Sequence, residues 1–101
     1  MTKTWKPSDF IRCGWCQGAH AKDNNGRPRE AGHPQASQWD ILGAIGRARN
    51  CGFDPGSDAI ERLTQAIPNN KYGAKLSLSV WNDRAGRTQA DVINLLEGVG
   101  L

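Results

Sequence analysis

The chain has 101 residues, enough for one domain around one hydrophobic core and too few for a second folding unit. Its formal charge is +3, from 13 Lys and Arg against 10 Asp and Glu, and the basic residues are dispersed; this weighs against a phosphate-tracking surface and leaves direct nucleic-acid binding a minor alternative. Hydrophobic residues make up 38% of the chain beside 12 glycines, so the expected core is compact and leans on four tryptophans.

No apolar run approaches the ~18 residues of a membrane span. Cys13, Cys16 and Cys51 form an odd set, and the opening residues lack an apolar stretch of signal-peptide length. The expectation is a cytoplasmic protein without a membrane segment, whose thiols stay reduced.

Pro7-Ser8-Asp9 reads as a helix start, and Ile11, Trp15, Gly18 and Ala19 recur at helical spacing, which predicts a first helix from about Asp9 to Ala21. Gly14 and Gly18 then read as packing devices, at ~1 kcal/mol of helix propensity each. Lys22 to His33 is rich in turn formers and charge and reads as a long surface loop, either a contact surface or disordered. From Pro34 to Asn50 a helical stripe returns through Ala36, Trp39, Leu42, Ile45 and Ala48, closed by Gly52. Asp54-Pro55 opens a third helix carrying Ala59, Ile60, Leu63, Ala66 and Ile67, and Pro68 stops it.

Lys75 to Trp81 alternates as a strand would, yet a lone strand leaves its backbone groups unpaired, so the segment is read as a short helix running into Trp81. The sharpest local signal is Trp81-Asn82-Asp83-Arg84-Ala85-Gly86-Arg87-Thr88. Thr88 with Asp91 three positions on makes a capping-box-like start for a last helix over about Thr88 to Glu97, burying Val92, Leu95 and Leu96. The fold expected from these elements is all-α, a compact single-domain bundle of four or five short helices over residues 1–101.

The blocks Gly14-Trp15-Cys16-Gln17-Gly18-Ala19, Gly43-Ala44-Ile45, Trp81-Asn82-Asp83 and Gly86-Arg87-Thr88-Gln89 together resemble a bacterial and phage family of small helical domains of unknown function. The resemblance implies an all-α cytoplasmic protein and brings no enzyme chemistry with it.

Cys13-x-x-Cys16 with His20, completed by His33 or Cys51, offers four N/S ligands of the kind zinc takes, but no second pair follows at a familiar spacing. Small buried thiols in a helix interface are the simpler reading. A redox role for Cys13-x-x-Cys16 would want a helix N-terminus and a βαβ setting, and neither surrounds it. His20 and His33 with Asp23, Asp40 and Asp83 do not fill the roles of nucleophile, base and oxyanion donor. Arg84 and Arg87 at the last helix suit an anion, although Asn82, Asp83 and Arg87 equally suit bonding within a turn.

The functional expectation is therefore a small non-enzymatic module that binds a larger bacterial protein or ribonucleoprotein complex, of which a phage-type inhibitor of a host defence complex, anti-CRISPR-like, is one version. Its expected contact residues are Trp5, Lys22, Asn24, Asn25, Arg27, Arg29, Arg84 and Arg87. No catalytic, cofactor-binding or metal residue is assigned. The rival expectation is a zinc- or nucleic-acid-binding protein built on Cys13, Cys16 and His20.

Overall fold

The computed structural model describes residues 4–101. The reading of the chain's start as lacking an export signal falls in part on residues 1–3 and lies outside the described residues.

Among the described residues five helices and a small sheet surround one core: α1 (Pro7–Cys13), α2 (Ile41–Asn50), α3 (Ala59–Ala66), α4 (Leu78–Asp83) and α5 (Gln89–Gly98), with β1 (Ala21–Lys22), β2 (Pro28–Arg29) and β3 (Gln38–Trp39) between α1 and α2. The strands pair antiparallel in the order β2-β1-β3, with Ala21 opposite both Arg29 and Trp39. The all-α expectation is thus overturned: the molecule is mostly helical but mixed α/β.

The first helix is where that expectation fails. It begins as the sequence indicates, with Pro7 in the first turn and the Lys6 N–H donating to Asp9 Oδ2 at 2.9 Å, but it stops at Cys13. Gly14 is extended, and its carbonyl accepts from Trp39 N–H at 3.1 Å while Cys16 N–H donates to the Trp39 carbonyl at 3.2 Å. A Cβ on Gly14 would collide with the Ser37 carbonyl oxygen, so glycine admits a crossing backbone rather than a packed helix. Gly18 is not a packing device at all: it is a turn residue with φ +82° and open space beside it.

The second departure is the loop. Asp23 to Arg27 turns the chain between β1 and β2, with Gly26 N–H donating to the Asp23 carbonyl and Asp23 N–H to that of Arg27, both at 3.0 Å. The Asp23 side chain is buried inside this hairpin; Oδ1 accepts the N–H groups of Asn25 (2.9 Å) and Arg27 (3.0 Å), and Oδ2 accepts Arg29 Nε–H (3.0 Å). The Arg27 and Asn25 N–H groups and Arg29 together hold the Asp23 carboxyl below the ordinary carboxylate range, against the opposing effect of burial. One carboxylate thus organises a segment whose composition suggested irregular chain.

α2 begins at Ile41, not at Pro34, because Asp40 caps it by accepting Gly43 N–H at 2.6 Å, and β3 occupies the residues before it. α3 starts at Ala59, after Asp54 and Pro55 form a turn in which Asp54 Oδ1 accepts Gly56 N–H at 2.9 Å. α4 is a helix as the sequence reading has it but starts at Leu78, capped by Ser77, and runs on to Asp83 instead of covering Lys75 to Trp81. α5 lies where the sequence reading puts it, and Thr88 Oγ1 accepts Asp91 N–H at 3.1 Å while Asp91 Oδ2 accepts Thr88 N–H at 3.0 Å.

The core is built on Ile11, Ile41, Leu63, Val92 and Leu96, all fully buried, with Trp39 and Trp81 closing it on two sides. Of the expected core residues, Ile45, Leu63, Trp81 and Leu96 are buried, while Trp15, Leu42 and Leu95 sit half-buried at its edge. No helix among the described residues is long and apolar enough to cross a membrane.

Candidate functional site

The Gly14–Ala19 and Trp81–Asp83 blocks, far apart in the sequence, meet at Asn82, which has no exposed surface. Its Oδ1 accepts Trp15 Nε1–H (2.9 Å) and Ile41 N–H (3.1 Å), and its Nδ2 donates to the Cys16 carbonyl (3.1 Å) and Asp83 Oδ1 (2.9 Å). All four hydrogen-bonding positions of the amide are filled, so Asn82 fixes α4, the start of α2 and the Trp15–Cys16 segment to one another. Gln17 Nε2 adds bonds to the carbonyls of Asn82 (2.9 Å) and Arg84 (3.0 Å), and Gly18 N–H donates to Asp83 Oδ1 at 3.1 Å. The chain then crosses α2 at Gly43, where any Cβ would overlap the His20 carbonyl oxygen.

This crossing brings His20 against Asp40. His20 Nδ1 lies 3.0 Å from Asp40 Oδ2, and Asp40 N–H donates to the His20 carbonyl at 3.1 Å. The imidazole side chain is 62% exposed whereas the carboxylate is 3% exposed. Burial raises the Asp40 carboxyl above the ordinary range, opposed by the Gly43 N–H and by His20.

Beside the pair runs an open, predominantly apolar groove of about 630 Å³. Ala19, His20, Leu42 and Gly43 form one wall, and the chain leaving the hairpin, from Pro28 to Ala31, forms the other. Arg29 also borders a neighbouring polar cleft on the far side of the hairpin.

The expected contact residues divide into three groups. Asn24, Asn25 and Arg27 are exposed on the hairpin and Lys22 is half-buried at its base, while Arg29 is tied to Asp23. Trp5 packs on Phe10, ring centroids 5.2 Å apart, and is 40% exposed. Arg84 and Arg87 stand at the other end of the Asn82 frame. Arg87 stacks over Trp81 at 3.9 Å from the ring centroid and donates Nε–H to the Trp81 carbonyl at 2.9 Å, so its side chain serves the turn. Gln89 closes the same turn onto α1, donating to the Ile11 carbonyl at 2.7 Å.

The zinc grouping is not assembled. Cys13 and Cys51 are exposed, Cys16 is buried, and His33 Nδ1 accepts Gln35 N–H at 3.0 Å. No group of three or more His, Cys, Asp or Glu among the described residues is arranged to hold a metal. Burial, aided by the negative charge of Asp40, pushes the Cys16 thiol up to about 11, so it is protonated near neutral pH and unsuited to nucleophilic attack.

Sequence reasoning missed Asp40, Glu30, Ala31 and Leu42 as site residues. The signal for Asp40 was present, an Asp directly ahead of the apolar run Ile41-Leu42. Its pairing with His20 was not, since that depends on the β1 crossing.

Fold and site define a small, mostly helical mixed α/β domain with a hairpin-flanked groove. A family profile matches residues 10–99, and the chain belongs to that family, a family of unknown function (DUF6197). Comparison with curated proteins and with solved structures gave no match.

Proposed function

We propose that this chain is a small non-enzymatic protein-binding module that acts in the cytoplasm, docking on a larger bacterial protein or ribonucleoprotein complex and modulating it. The observation that carries the reading is the open apolar groove between the hairpin and α2, since concave apolar surface edged by a few polar groups is the usual form of a recognition site. The hairpin beside it supplies Lys22 and Arg27 for a partner's carboxylates and Asn24 and Asn25 for adaptable hydrogen bonds. Rigidity supports the same reading: Asp23 fixes the hairpin before any partner arrives, which lowers the entropy lost on docking. A phage-type inhibitor of a host defence complex, anti-CRISPR-like, is the concrete form of this proposal, in which docking covers the partner's working surface.

Trp5 and Arg87 are set aside as the main contact, because Arg87 is committed to Trp81 and Trp5 to Phe10; Arg84 is exposed but lies away from the hairpin, beside Leu76 and Val80. Affinity capture from the native cells tests the hairpin, comparing wild type with a Lys22→Glu/Arg27→Glu double variant. Arg29 is left intact, since a glutamate there would face the Asp23 carboxylate and open the hairpin. The expected result is loss of the captured partner with helicity unchanged. Equal recovery by both proteins would remove the hairpin from the interface.

A further inference from the structure

The polar cleft on the far side of the hairpin, about 550 Å³, is bordered by Arg27 and Arg29 and, across from them, by Gln35. Alternate residues of an extended chain share a face, so Arg27 and Arg29 project to the same side. Asp23, whose N–H donates to the Arg27 carbonyl at 3.0 Å, projects there too. Lys22, opposite Pro28 in the register, belongs to the other face. The two guanidiniums are held differently. Asp23 Oδ2 accepts Arg29 Nε–H at 3.0 Å, which leaves the two Nη groups of Arg29 without a hydrogen-bond partner among the described residues. They form a planar fork of donors whose direction is fixed from behind. Arg27 is exposed, and its guanidinium has no partner among the described residues.

The charges of the cleft favour one kind of ligand. Arg27 and Arg29 stand against the single carboxylate of Asp23, whose oxygens already accept from Asn25, Arg27 and Arg29, so one positive charge is in excess. The neighbouring charges act elsewhere: Glu30 lines the apolar groove, Lys22 is on the other face, and Arg47 donates to the carbonyls of Ala31 and His33. Asn24, Asn25 and Gln35 add neutral amide donors, and their side chains have no partner among the described residues. One surplus positive charge and a planar donor fork match a carboxylate, which is singly charged, planar and able to accept two parallel bonds. A phosphate dianion would leave the cleft with a net negative charge.

We propose that this cleft is a receptor for a single carboxylate, a glutamate or aspartate side chain presented by the protein partner, bound by the Nη fork of Arg29 with Arg27 beside it. This rests on the protein-binding reading above and gives it a charged contact separate from the apolar groove. Asp23 is the positioning residue: it aims Arg29 and does not touch the ligand.

The test is an NMR titration of the full chain with the peptide acetyl-Gly-Glu-Gly-amide, with its Gln counterpart and inorganic phosphate as controls. The signals followed are Arg29 Nε–H and the backbone amides of Asn25 and Gln35. The expected result is saturable movement of all three by the Glu peptide, with affinity about ten-fold above the Gln peptide, the effect of one charge-assisted hydrogen bond, and also above phosphate. Arg27→Gln is expected to weaken the Glu peptide about three-fold, whereas Lys22→Gln, which removes the same charge from the other face, changes it by less than about 1.5-fold. Arg29→Lys keeps the charge beside Asp23 but removes the fork, and the preference for Glu over Gln falls to about two-fold. Should that variant lose the wild-type amide positions of Asn25 and Arg27, the hairpin has opened, and Arg27→Gln carries the test because its side chain holds no other part of the fold.

Equal affinity of wild type for the Glu and Gln peptides, no binding of the Glu peptide, tighter binding of phosphate, or equal losses in Arg27→Gln and Lys22→Gln would each overturn the proposal. Failure of the broader reading is distinct, because the titration needs no partner: a cleft that takes the Glu peptide in a chain that captures no protein removes that reading alone, and capture without peptide binding removes the cleft alone.

Discussion

Replacing Asn82 by Leu removes the amide at the meeting point of three chain segments while keeping a side chain of similar length. Two groups lose their partner with no solvent to replace it, the Ile41 N–H and the Cys16 carbonyl; a third, Trp15 Nε1–H, lies at the half-buried edge where water can serve. At about 1–3 kcal/mol for each buried group left unsatisfied, the loss is about 2–6 kcal/mol. Against a total stability of about 5–15 kcal/mol this is a large fraction. For a chain of this size ~4 kcal/mol corresponds to a fall in Tm of roughly 20 °C. Urea unfolding followed by circular dichroism measures it, with Asn94→Ala on the exposed face of α5 as the control, expected within about 0.5 kcal/mol of wild type. An Asn82→Leu protein within about 1 kcal/mol of wild type would refute the claim that this amide holds the frame.

Gly43→Ala is expected to cost several-fold more than the small gain in helix propensity returns, because the new methyl overlaps the His20 carbonyl; a rise in Tm would contradict the crossing geometry. Acidification is expected to loosen the hairpin selectively. Because Asp23 titrates below its unfolded value, the unfolded chain takes up a proton first, and the stabilisation, complete above about pH 4, is lost as pH falls through the native value. The Asn25 and Arg27 amide shifts should report that titration in wild type and not in Asp23→Asn. Iodoacetamide at pH 8 is expected to label Cys13 and Cys51 and to spare Cys16 in the native protein; mass spectrometry showing Cys16 modified at the same rate would contradict its burial.

What the sequence disclosed and concealed follows from the range of the interactions. The last helix was legible because its start is a local device, Thr88 with Asp91, that needs no distant partner. α4 was legible for the opposite reason, since alternation in residues 75–81 pointed to a strand and only the need to pair backbone groups argued for helix. Strands of two residues contain no period to detect, so Ala21–Lys22, Pro28–Arg29 and Gln38–Trp39 passed as helix or loop. Ile11, Trp15 and Ala19 do recur at helical spacing, but pairing with Trp39 satisfies the backbone after Gly14 without the cost of two glycines in a helix. The candidate site was partly legible: Lys22, Asn24, Asn25 and Arg27 lie on the exposed hairpin. Arg87 was half legible, its pairing within the turn having been one of two readings. His20 attracted notice as a metal ligand, and its partner Asp40, twenty positions away, becomes visible only once β1 is placed beside β3.

The central claim is that the hairpin and its groove form the face that meets a partner. A photo-crosslinking amino acid placed in turn at Arg27, at Glu30 and at Glu61 tests it most directly, since Arg27 lies on the hairpin, Glu30 lines the groove and Glu61 is exposed on α3, which packs against α5. Irradiation in the native cells should give the same discrete adduct from Arg27 and Glu30 and none from Glu61. An adduct from Glu61 with none from the two hairpin positions would contradict the account.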